Sequence, residues 1–305
     1  MQVLHGLLPY RDFSSSYAPL HAYLDAALAR LWPSPLVIIL FSVVCECVMF
    51  PLWLELGRRV VSDQQLRSSA LLYLSSAISL QFVAIDGQDN VVIAMLFLLS
   101  TLLFLRGRPL PSGGCVGLGA SVIKFLPLLY APLFFFSVPR RWRWAAGLAL
   151  PVVLIYGAFV AKHLPILSVL RVEGGFKSAN NLPYLVEAML VITLPSLLLG
   201  GIVAAFLLLI FILVARATTR AQGRLYLRPL VFGMAALTLV LVLFPKKSWP
   251  PYFLLGFFPV CLLIPMITDQ ADRLCSIWID RHRWPQLLGQ CALPVLVDGV
   301  SSCAA

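Results

Sequence analysis

Four places in the chain hold residues that hydrocarbon disfavours and that chemistry can use. Tyr10, Arg11 and Asp12 stand together in GLLPYRDFSSSYAPL. A carboxylate at a membrane surface, beside a guanidinium, can take the proton of an acceptor hydroxyl or orient it; the same residues also suit a plain loop ion pair. Asp86, Gly87, Gln88, Asp89 and Asn90 separate two apolar runs. Asp86 and Asp89 can accept protons or cations, and the two amides can both donate and accept. Asp, Gly and Asn are turn residues, but a turn needs neither Gln88 nor so long a polar stretch. Lys124 lies inside SVIKFLPLLYAP. A charge there costs roughly 2.5–3.5 kcal/mol on insertion and is a functional hypothesis by default, its natural partner being an anionic group such as a lipid phosphate. Glu46, in VVCECVMF, is also mid-run, where pairing inside a helical bundle accounts for it.

The elements that must position these residues are membrane helices. Of 305 residues, 60% are hydrophobic and only 12% charged, about half the share in soluble domains, and the mean hydropathy is +0.92. The formal net charge of +10 sits between apolar runs. It therefore reads as topology signals and contact with anionic membrane lipids rather than as a nucleic-acid surface. Cys45, Cys47, Cys115, Cys261, Cys275, Cys291 and Cys303 form no CxxC or Cys/His spacing, so neither a metal site nor a disulfide framework is expected. The start of the chain lacks the basic and apolar regions of a signal peptide.

Runs able to cross about 30 Å of hydrocarbon predict an all-α, polytopic protein with spans near 36–56, 68–85, 90–105, 142–161, 190–215, 228–245 and 251–268. Arg58, Arg59 and Arg67 put the first connection inside by the positive-inside rule; the N-terminal segment and the 86–90 connection then face outward. If 113–137 were one ordinary span, Arg140, Arg141 and Arg143 and the loop with Arg216, Arg220, Arg224 and Arg228 would both fall outside. A broken or re-entrant hairpin over 113–137 returns both to the inside and leaves Lys246–Lys247 as the offender. Lys124 and Pro127 supply the break, and non-helical backbone at that depth must line a cavity or be buried in protein. Ser16–Trp32 carries Leu20, Tyr23, Leu24, Ala27, Leu28 and Leu31 at helical spacing, with His21, Asp25 and Arg30 off the stripe, and predicts an interfacial helix. Residues 162–189 form a long outer loop in which Asn180 and Asn181 are turn material and further polar candidates. The arginines from Arg216 to Arg228 recur every four residues and predict a headgroup-facing stripe. The expected organisation is 1–35 as outer loop and interfacial helix, 36–268 as transmembrane domain, and 269–305 as a cytoplasmic tail of unassigned role.

At these residues the chain resembles a known superfamily. The stretch from Asp86 to Trp144, with its Gly-Gln-x-Asn segment, basic turn, small-residue helix and Lys-x-x-Pro, resembles bacterial GT-C membrane glycosyltransferases. The resemblance is to the branch that includes polyprenyl-phosphate-mannose-dependent mannosyltransferases. GLLPYRDFSSSYAPL is similar to that superfamily's first outer loop. GGFKSANNLPYLVEAML and LFPKKSWPPYFLLGFFPV are similar to its later outer loop and penultimate turn. The resemblance implies a multi-pass enzyme of the plasma (inner) membrane. Such an enzyme passes a sugar, mannose favoured, from a polyprenyl-phosphate donor to a glycan or lipid acceptor at the outer face, with inversion. Carried over, Lys124 would hold the donor phosphate, Gly87, Gln88 and Asn90 would shape the cavity wall, and Arg11 would add a cation. No cofactor is implied, and the carboxylates do not demand a divalent ion.

One departure matters. Family members begin with a span and place an acidic residue upstream of the Pro-Tyr-x-Asp-Phe signature. Here eight residues precede Pro9. The expectation is that the chain begins upstream, that Asp12 takes that carboxylate's part as base, or that the protein is a non-catalytic remnant. A lipid-sugar transporter is the rival from another class, and it would require broken helices in corresponding repeats; the sequence shows one broken segment and no repeat.

Overall fold

A computed structural model of the protein describes residues 2–166, 181–220, 227–245 and 249–268. Contacts divide the chain after Leu263, and the architecture that follows is that of the larger, first unit. It is all-helical, with no strand among the described residues. Asn180, Arg224, Lys246–Lys247 and the tail from 269 lie outside those residues.

Helix α1 (His21–Leu31) follows an irregular N-terminal segment, and α2 (Leu36–Val60) is the first long apolar helix. Ser62 caps α3 (Asp63–Ser75) by a reciprocal box with Gln65. The expected span 68–85 is not one helix. It breaks at Ser76, whose hydroxyl caps α4 (Ala77–Ser79), and continues as a π-helical stretch over Leu80–Ile85. The two parts are bent by 40°. Glu46 spans that break, accepting from Tyr73 on one side at 2.5 Å and from Ser79 on the other at 2.6 Å. This is the internal pairing expected of it.

Helix α5 (Asn90–Leu105) is followed by α6 (Pro109–Leu118), which widens into a π-helical stretch over Gly119–Ile123. Lys124 then leaves the helix in an extended conformation, and α7 (Pro127–Ser137) begins. Helix α8 (Arg141–Ala161) runs beside α6. Gly113 faces Trp144, Gly117 faces Leu148 and Pro151, and the Tyr156 hydroxyl reaches the Ala120 carbonyl. Rising numbers meet rising numbers, so α6 and α8 are parallel, and the chain between them must turn back at Lys124. The approach is close because both faces are glycine: a Cβ at Gly113 would stand 1.9 Å from the Trp144 carbonyl oxygen, and one at Gly147 1.9 Å from that of Leu110. Ser112 cements the seam, bonding Ser100 of α5 at 2.9 Å and receiving the Trp144 indole at 3.1 Å.

Helix α9 (Leu182–Leu190) ends at Val191, which adopts φ 52, and α10 (Ser196–Arg220) starts after Pro195. The expected span 190–215 therefore begins later, because proline cannot continue the preceding helix but suits a helix start. Helix α11 (Leu227–Leu243) packs on α7, with the Tyr130 and Thr238 hydroxyls 2.7 Å apart. The expected span 251–268 opens instead with a 3₁₀ turn, Pro250–Leu255.

Three helices, α2, α8 and α10, are long and apolar enough to cross a membrane, and four if the bent α3–α4 pair counts as one. The other apolar helices among the described residues have 10–17 residues; of these, α5 takes the bounds expected of the 90–105 span and α11 covers most of the expected 228–245. The outer faces of α8 and α10 are bare hydrocarbon, with Val153 65% and Leu197 91% exposed. Patches of that kind mark contact with lipid or another apolar surface, and the protein is a membrane protein by this criterion.

Candidate functional site: a buried lysine at a helix break

The break at Lys124 exposes backbone that must find partners. Tyr156 donates to the Ala120 carbonyl at 2.9 Å. The N-terminal segment supplies the rest: Leu20 N–H to the Ser121 carbonyl and Ala18 N–H to that of Ile123, both at 3.1 Å. The segment before α1 is thus laid across the open end of the broken helix, which brings Tyr17 and His21 to Lys124.

Lys124 is only 8% exposed. Its ammonium donates to Asn90 Oδ1 at 3.2 Å and stands 3.7 Å from Asp89 Oδ1. It also lies over the rings of Tyr17 and Tyr252, at 4.8 and 5.3 Å from their centroids. Contacts of the last kind contribute about 0.5–2 kcal/mol each. Together with the carboxylate they offset the cost of placing a cation here. Asn90 is fully buried at the start of α5, and its amide nitrogen donates to the Pro251 carbonyl at 3.2 Å.

Asp89 reaches the other way as well. Its Oδ2 is 2.5 Å from His21 Nε2, while His21 Nδ1 is 3.3 Å from Asp25 Oδ2. The Tyr17 ring stacks on the imidazole at 4.0 Å. Burial pushes the Asp25 carboxyl above its ordinary value; His21 opposes that shift and Asp89 adds to it. Burial likewise raises the Tyr17 phenol, with Asp89 and Asp25 adding to it. The two carboxylates sit on opposite nitrogens of one ring, so the three groups do not converge on a point where a metal would bind.

A cavity of about 380 Å³ opens beside the ammonium. Ser16 and Tyr17 form one wall, Gln88 and Lys124 another, and Trp249, Pro251 and Tyr252 the third. The lining is one cation, one amide, one serine, one proline and three aromatic side chains. Such a surface suits an anionic group carrying a ring or chain with an apolar face.

Lys124 and Gln88 reach the cavity, and Asn90 and Asp89 stand directly behind it. Gly87 has a backbone role: at φ 62, with Ile39 Cγ1 2.8 Å from where a Cβ would be, it folds the connection so that Gln88 N–H reaches the Phe82 carbonyl at 2.8 Å. Asp86 is exposed and accepts from Gln81 at 3.2 Å. Asp12 does not line the cavity. It is gripped by Arg11 through two bonds of 2.9 Å and by the Leu8 N–H at 2.7 Å. The Arg11 bond and the Leu8 N–H hold its carboxyl below the ordinary range, which opposes service as a base. Arg11 is exposed and committed to that pair. Tyr10, in a left-handed conformation at φ 66, is buried and donates to the Tyr17 carbonyl. Its contribution is to hold the segment that carries Tyr17. Asn181 caps α9, accepting from Tyr184 N–H at 2.9 Å and donating to the Pro245 carbonyl.

Sequence reasoning passed over His21, Asp25, Tyr17, Trp249 and Tyr252. The available signal was in α1, where His21 and Asp25 are one turn apart on the polar face. A polar face normally meets water, but here the backbone bonds to Ser121 and Ile123 turn it inward, and Leu31 is left 83% exposed. No family model, no curated protein and no solved structure matches this chain.

Proposed function

We propose that the protein is a membrane glycosyltransferase that takes a sugar, mannose favoured, from a polyprenyl phosphate and passes it to a glycan or lipid acceptor. The observation that carries the reading is the Lys124 ammonium, buried at a helix break and facing a polar, aromatic-walled cavity in an otherwise apolar molecule. In this reading the ammonium binds the donor phosphate and stabilises it as it leaves, the electrostatic part of the catalysis. Gln88 hydrogen-bonds sugar or phosphate oxygens, and Tyr17, Trp249 and Tyr252 stack against the sugar's apolar face. Two carboxylates compete for the acceptor's proton. Neither lines the cavity: Asp89 stands behind its wall beside Lys124, with His21 on its other oxygen, and Asp12 is held by Arg11 and Leu8; Asp89 is favoured because it is the one beside Lys124.

The test is transfer of label from radiolabelled polyprenyl-phosphate mannose in membranes containing the protein, beside a Lys124→Ala control. Lys124-dependent appearance of label in a lipid or glycan is the expected result. Donor left unconsumed, with glucose and arabinose donors also untouched, would refute the enzyme reading. A lipid-linked-sugar transporter is the second reading, favoured by one observation: besides the break at Lys124, the described residues hold a second broken helix, at Ser76. It requires intact donor to cross a vesicle membrane without losing its sugar.

A further inference from the structure

Behind the cavity wall runs a titratable chain, Asp25, His21, Asp89 and Lys124, of which the proposed function uses Lys124 and Asp89 and gives His21 and Asp25 no part. Asp89 is shared between two bases, with Oδ2 on His21 at 2.5 Å and Oδ1 facing Lys124 at 3.7 Å. The groups facing the imidazole are Asp25 from its own helix, Asp89 from the connection before α5, and the stacked Tyr17 from the preceding segment. Lys124 stands beyond Asp89. Tyr17 is also cavity wall, so one aromatic ring separates the imidazole from whatever occupies the cavity. Histidine is the side chain whose charge ordinarily changes between pH 5 and 8. With a neutral imidazole, two carboxylates and one ammonium leave the cluster with a net negative charge. An imidazolium cancels it.

We infer that His21 is a positioning residue that sets the anion affinity of the Lys124 cavity through Asp89, a role that rests on the phosphate-binding reading above. The imidazolium takes the Asp89 carboxylate by Oδ2 and leaves the lysine's charge to the ligand. The neutral ring leaves that carboxylate opposing the ligand's phosphate. Binding therefore tightens as pH falls through the histidine's titration, and it does so through a residue that does not touch the ligand.

The experiment uses the full chain in detergent and a synthetic isoprenyl methyl phosphodiester, a probe whose single negative charge is constant from about pH 5 to about pH 8. Binding is measured by titration calorimetry. Wild type is expected to bind at least about fivefold more tightly at about pH 5.5 than at about pH 8, the scale of ordinary site–site coupling. His21→Gln, which keeps an amide donor and acceptor but cannot titrate, is expected to lose that dependence. Binding of equal strength across the range in wild type, or an unchanged profile in His21→Gln, overturns the inference while leaving the phosphate site standing. No binding at any pH overturns both.

Discussion

Lys124 could be singled out locally because a charge inside an apolar run is an energetic anomaly whatever surrounds it. Its truncation tests the site at the residue scale. Lys124→Ala should weaken phosphodiester binding by at least about tenfold, the worth of one charge-assisted bond, as read by calorimetry. Asp12 teaches the opposite lesson: a carboxylate next to an arginine is chemically suggestive, but its neighbours had already claimed both oxygens. Asp12→Asn should leave phosphodiester binding unchanged. It should alter acid stability instead. The carboxyl lies below its ordinary value in the folded chain, so its contribution is present above the unfolded-state value and lost as pH falls through the folded one. Thermal melts in detergent should show wild type losing stability in that acid window and Asp12→Asn lacking the step. His21 and Asp25 were invisible as a site because an i,i+4 polar pair on an amphipathic helix reads the same whether it meets water or a buried carboxylate. Only the tertiary bonds from Ala18 and Leu20 to the broken helix decide.

At the scale of elements, the break at Lys124 was legible because two local signals coincide there, a charge and Pro127. The break at Ser76 was not: residues 68–85 form a single apolar run in the sequence, and what ends the helix is a serine that caps the next one. Close approach between α6 and α8 was hinted at by the small residues of α6 but needed the partner face to be known. Gly113→Leu should drive the two helices apart, since even a Cβ has no room against the Trp144 carbonyl. A cost of about 1–3 kcal/mol or more should appear as a lowered Tm in detergent. Gly147→Leu should do the same from the other side. Gly87→Ala meets both an unfavourable backbone conformation and Ile39. It should cost about 1–3 kcal/mol and displace Gln88, weakening ligand binding as well as folding.

Seen whole, the first unit has two chemically different ends. One carries the N-terminal segment, the 86–90 connection, Lys124 and the 3₁₀ turn at Pro250–Leu255, and the C-terminal end of α8 joins it through Phe159, which meets the rings of Tyr10 and Tyr23. The other carries Arg58, Arg59, Arg106, Arg108, Arg140, Arg141 and Arg143, and Arg228 reaches the Val60 carbonyl there at 3.1 Å. Charge asymmetry of this kind, read by the positive-inside rule, was legible in the sequence, as were the bounds of α5 and, to within a residue, of α8; the break at Ser76 was not, because a capping serine rather than hydropathy sets it. Single cysteines placed at Arg108 and Arg140 in a cysteine-free background should react with an impermeant thiol reagent from the same side of the membrane, and one at Ser15 from the opposite side. The central claim, that the cavity beside Lys124 takes the phosphate of a polyprenyl lipid, is tested most directly by photocrosslinking a polyprenyl-phosphate probe with its diazirine next to the phosphate. Labelled peptides should contain Tyr17, Trp249 or Tyr252, and the labelling should be lost in Lys124→Ala. Labelling confined to the lipid-facing sides of α8 and α10, and indifferent to Lys124, would contradict it.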